Sequence, residues 1–134
     1  MEQKWSLRLI RLAAIFGLIG TYLGSHMAGS GGYEYRPIHA HILLVGWLSM
    51  FAWGIFYRVF QVKSAKLVMA HGWSAIIGVV GLIVGMLFYN VNPFHFGHTF
   101  TLIFFIVGGT TLLISFALFI VVTFMVRPSK KTSV

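Results

Sequence analysis

"RPIHAHILLVGWLSMFAWGIFYRVF", residues 36 to 60, decides what kind of protein this is. From Ile38 to Phe60 it is apolar but for His39, His41, Ser49, Tyr57 and Arg58. A helix rising 1.5 Å per residue over such a run crosses a hydrocarbon core of about 30 Å. Three further runs do the same: Leu7–Ala28, Leu67–Tyr89 and Phe94–Val126. The last is longer than a span needs, so it tilts or extends past the bilayer. None alternates polar with apolar over about 10 residues, as a membrane barrel strand would.

Composition agrees. The 134 residues are 58% hydrophobic and 9% charged, with a mean hydropathy of +0.89. A soluble domain of this length needs a charged shell that this chain lacks. The expected fold is an all-α integral membrane protein, with one four-span domain over residues 1–134. The first run reads as a span rather than a cleaved leader, since no small-residue cleavage site follows it.

The net charge of +8 could suggest nucleic acid. Its placement says otherwise. Lys4, Arg8 and Arg11 flank the first span, Arg58, Lys63 and Lys66 the second connection, and Arg127, Lys130 and Lys131 follow the fourth span. Only Arg36 of the ten basic residues falls on the other side. The positive-inside rule makes the crowded side, with both termini, cytoplasmic. The expected location is a bacterial inner membrane with lipid as the first partner, and no nucleic acid.

The connections are short except for the Gly-rich "AGSGGYEYR" (residues 28–36), so consecutive helices should be antiparallel neighbours in an up-down-up-down bundle. The two hairpins also resemble each other. Gly17, Gly20 and Gly24 repeat the spacing of Gly78, Gly81 and Gly85, and "RPIHAH" opens span two as "NPFHFGH" opens span four. Small residues at such spacing let membrane helices approach closely. Pro37 and Pro93 both suit a first helical turn. A two-fold repeat would pair His39 with His95 and His41 with His98.

The chain has no cysteine and only Glu2 and Glu34 as acids, which excludes disulfides, thiolate sites and paired-carboxylate chemistry. The missing intramembrane acids also weaken a transporter reading. What remains is histidine. His26, His39, His41, His95 and His98 lie near the outer span ends, and only His71 lies near the inner end. One interfacial histidine is an ordinary anchor; five at one level suggest a metal centre.

At about 100° per residue, His39 and Gly46 point within about 20° of each other, whereas His41 points about 200° away, toward packing or lipid. His95 and His98 are about 60° apart and share a face with Gly109. Diagonal spans two and four could therefore offer two imidazoles to the faces of a flat macrocycle, with glycines making room. Neutral imidazole is an ordinary axial ligand of haem iron. Zinc or copper is the alternative, but zinc wants three or four converging donors and gives the glycines no role. His71 shares the face of Gly78, so it should point into protein. It is a core histidine satisfied by a backbone carbonyl, a proton-handling group, or a ligand of a second metal site.

Residues 36–60 also resemble the second membrane helix of subunit I in haem-copper oxidases, above all the nitric oxide reductases. There a similar Arg-Pro-apolar-His opening precedes an apolar helix with Trp, Gly and a Tyr near its inner end. The resemblance implies His39 as a low-spin haem ligand and matches Gly46, Trp47, Gly54 and Tyr57 to helix features. The later helices that carry the family's other metal ligands have no counterpart, so a complete terminal oxidase is not expected. The expectation is a small b-type cytochrome. It would hold haem b through His39 and one of His95, His98 or His26, with Trp47, Trp53, Tyr57, Phe94 and Phe96 as walls. Its role would be redox sensing or one-electron transfer between a quinol and an outer acceptor, in a homo-oligomer or beside a partner subunit. The competing class is a non-redox haem or metal carrier, or an accessory subunit of a respiratory complex.

Overall fold

The computed structural model describes residues 1–127. Lys130 and Lys131, part of the cytoplasmic charge pattern, lie outside the described residues. Among the described residues the fold is all-helical, with four long helices: α1 (Glu2–Ser30), α2 (Arg36–Val59), α3 (Ala65–Asn90) and α4 (His98–Phe124). Each is long and apolar enough to cross a membrane, as in a multi-pass membrane protein.

Local chemistry sets the ends. α1 stops at Gly31, which takes φ 70° and returns its N–H to the Met27 carbonyl. Pro37 lies in the first turn of α2, where its missing N–H costs nothing. The Ser64 hydroxyl caps α3 by accepting from Leu67 N–H at 3.3 Å. The fourth helix starts at His98, later than the apolar run suggests. Asn92 and His95 both take positive φ (47° and 56°), and Asn92 bonds Phe96 reciprocally, Nδ2 to O and Oδ1 from N, both at 2.8 Å. Pro93 and His95 therefore sit in a pinned turn, and the expected equivalence with Pro37 and His39 in an opening helical turn does not hold.

Within α2 the segment Ile42–Ser49 is π-helical. The Ser49 hydroxyl follows the same wider spacing and donates to the Leu44 carbonyl at 2.9 Å. Such segments put more residues into each turn. Even so, His39, Gly46 and Gly54 all face α1: their neighbours there are Gly24, Phe16 and Ile10. These contacts run in opposite sequence directions, so α1 and α2 pack antiparallel.

α3 and α4 also pack antiparallel, through Gly78 on Leu112, Gly81 on Gly108 and Gly85 on Phe105. The two glycine stripes share a spacing but meet different surfaces. Gly17, Gly20 and Gly24 receive side chains (Trp47, Leu43, His39), whereas Gly78, Gly81 and Gly85 receive the α4 backbone. Backbone contact is closest at Gly81 and Gly108, where a Cβ on Gly108 would collide with the Gly81 carbonyl.

The starts of α1 and α3 meet where the Trp5 ring lies over Gly72 and edge-on to Trp73, centroids 5.6 Å apart. At this basic end Glu2 Oε1 accepts from Val62 N–H at 3.4 Å. Val62 pairs with Val126, through Lys63 N–H to Met125 O and Arg127 N–H to Gln61 O, both 2.8 Å. The best-enclosed side chains, including Leu9, Tyr57, Val62, Val68, His71 and Val122, concentrate toward this end.

Candidate functional site

His39 rises from the first turn of α2 into the space left by Gly24, whose added Cβ would stand 2.7 Å from His39 Cε1. Its Nδ1 lies 2.8 Å from the Gly20 carbonyl. A carbonyl only accepts, so this bond requires Nδ1–H, and in the neutral ring the lone pair then lies on Nε2. Among the described residues Nε2 makes no hydrogen bond, and the ring is only half-buried. A carbonyl on one ring nitrogen is the outer-shell arrangement that fixes an imidazole for ligation through the other.

The other outer histidines do not gather round it. His41 is half-buried and turns back on its own helix, Nδ1 to Pro37 O at 2.8 Å. His26 is exposed beside Tyr22, ring centroids 6.4 Å apart. His95 is exposed in the pinned turn, so the helical face it was expected to share with His98 and Gly109 does not form. His98, the first residue of α4, is exposed against Tyr89 at 5.7 Å. Among the described residues no three His, Asp or Glu side chains come together as a metal site.

The expected room beside the glycines is largely taken. The Phe16 ring fills the space at Gly46, and Gly109 is in ordinary contact with Leu82, 3.6 Å from a built Cβ. Trp47 covers Gly17 and stacks on Phe51 at 5.1 Å. With Ala14, Gly17, Thr21 and Leu43 it lines a groove of about 410 Å³ on the α1–α2 face. Phe94 and Phe96 belong to a phenylalanine cluster with Phe88, whose ring lies 6.1 and 5.2 Å from theirs.

A second polar site lies toward the basic end. His71 on α3 is wholly buried, as expected from its place on the glycine face. Its partner is not a backbone carbonyl: the Tyr57 hydroxyl on α2 lies 2.7 Å from Nδ1. Trp53 meets the imidazole edge-on at 5.0 Å, and Phe119 of α4 covers it at 5.2 Å. Among the described residues its enclosed Nε2 has no hydrogen-bond partner, and neither do the hydroxyls of Ser6 and Ser115. Sequence reasoning pointed His71 into protein and gave Tyr57 as a wall of the haem site, but did not pair them. The available signal was that both fall about one turn from the basic connection, on consecutive helices.

Comparison of the chain with protein-family models, with curated proteins and with solved structures finds no match.

Proposed function

We propose that this chain is a small membrane haem protein of b type, serving one-electron transfer or redox sensing, with His39 as an axial ligand. The observation that carries the reading is the bond from His39 Nδ1–H to Gly20 O, at 2.8 Å, which leaves Nε2 as the free donor. A bound haem supplies one-electron exchange between ferric and ferrous iron. The chain's own part is to hold the imidazole against Gly24 in one tautomer and to keep His41 turned back on Pro37 O.

The donor set fits one axial position. A second imidazole would have to come from another copy of the chain, since His26, His95 and His98 are exposed and do not gather round His39. Zinc or copper held by converging imidazoles is disfavoured, since no group of three donors gathers among the described residues. The antiparallel contacts within each hairpin and the meeting of Trp5 with Gly72 support an up-down-up-down bundle. The basic end would face the cytoplasm of a bacterial cell.

The test is optical. Purified protein should show a dithionite-reduced α-band of six-coordinate b haem, lost in His39→Ala and kept in His41→Ala. A colourless preparation that retains zinc or copper would sink the proposal.

A further inference from the structure

The buried pair at the basic end calls for its own account, independent of haem at His39. Along α2 the eighteen steps from His39 to Tyr57 correspond to up to about 27 Å at 1.5 Å per residue. Polar side chains within membrane helices are expensive and mark function by default. Here a phenol and an imidazole are both removed from solvent, at 1% and 0% exposure. They are joined by a short hydrogen bond of 2.7 Å.

We propose that Tyr57 and His71 form a proton-coupled redox site, in which Tyr57 gives one electron to a high-potential, metal-centred one-electron oxidant while its phenolic proton passes to His71 Nδ1. The O–H bond of Tyr57 breaks, an N–H bond forms on His71, and the oxidant is reduced by one electron. The products are a neutral tyrosyl radical and an imidazolium. On re-reduction of Tyr57 the proton returns.

Three observations support this. A phenol that loses an electron becomes a very strong acid, so the electron leaves far more readily when a base already stands at hydrogen-bond distance to take the proton. The positive charge then rests on the His71 imidazole, next to the Trp53 and Phe119 rings. Second, His71 Nε2 has no partner among the described residues, so the transferred proton has no onward hydrogen bond and the reaction is reversible and local. Third, Trp53 and Phe119 pack on the imidazole, and Phe56 lies 5.9 Å from the Tyr57 ring. These rings shield the radical from water. Tyr22, Tyr33 and Tyr89 are exposed, and among the described residues only the Tyr57 hydroxyl bonds a histidine.

The experiment uses the full chain in detergent with a photogenerated ruthenium(III) tris-bipyridyl complex as oxidant, followed by freeze-trapping and electron paramagnetic resonance. Protein carrying ring-deuterated tyrosine should give a narrowed neutral tyrosyl signal, and Tyr57→Phe should abolish it. His71→Phe should abolish it too. Should that variant not fold, protein made and kept in D₂O should form the radical more slowly than protein in H₂O. No radical, a signal unchanged by labelled tyrosine, a signal that survives Tyr57→Phe, or equal rates in the two waters would each overturn the proposal.

Discussion

Gly108 and Gly109 are adjacent in α4, and replacing each by alanine should have opposite consequences. A Cβ on Gly108 would stand 2.5 Å from both Gly81 O and Leu82 N, whereas a Cβ on Gly109 would stand 3.6 Å from Leu82 Cδ1. Ordinary contact begins near 3.4 Å, so the first is short by more than about 0.9 Å, the Gly81 carbonyl carbon being nearer still, and the second fits. The atoms in the way at Gly108 are backbone and cannot swing aside. α3 and α4 must part locally and lose the dispersion contacts of the glycine crossing. Overpacking of this kind costs about 1–3 kcal/mol. Both variants gain the same helix propensity, about 1 kcal/mol, so their difference isolates the collision. Gly109→Ala should match or exceed the parent in stability, and Gly108→Ala should fall about 1–3 kcal/mol below Gly109→Ala. Reversible unfolding in mixed micelles with rising SDS, followed by tryptophan fluorescence, measures this. Equal stability of the two variants would refute the close backbone crossing.

Gly24→Ala tests the His39 pocket: the imidazole can swing away from the new Cβ, so stability should change by under about 1 kcal/mol. The Nδ1–H bond to Gly20 O should break, and ¹⁵N-histidine NMR would then show a mixed tautomer population in place of one. Tyr57→Phe leaves His71 Nδ1 buried without its partner and should cost about 1–2 kcal/mol in the same micelle titration, against near zero for Tyr22→Phe on the exposed face. Asn92→Ala removes both bonds that pin the turn before α4, at a cost of about 1 kcal/mol, and amide exchange at Phe96 should speed up accordingly.

The residues themselves announced four membrane-length helices, because apolar runs of this length depend on composition and order alone. His39 and Gly46 could also be assigned to one side of α2, since both face α1 even with a π-helical segment reaching across Gly46. The side chains that meet on different helices were not legible. "NPFHFGH" resembles "RPIHAH", but two positive φ angles and the Asn92 bonds make it a loop; Asn and His enter left-handed backbone more readily than most residues, yet do so in only a minority of places, so residue type alone does not decide it. The two glycine stripes read alike, because spacing records a face but not what packs on it.

Sequence alone therefore determined the four apolar helices, the gathering of basic residues toward one set of helix ends, and that His39 and Gly46 share a side of α2. Only the tertiary structure decided that Gly20 O fixes the His39 tautomer, that α3 and α4 cross backbone to backbone, and that Tyr57 and His71 share a hydrogen bond. Periodicity acts within one helix, whereas each of these depends on the rotation and depth of two helices relative to each other.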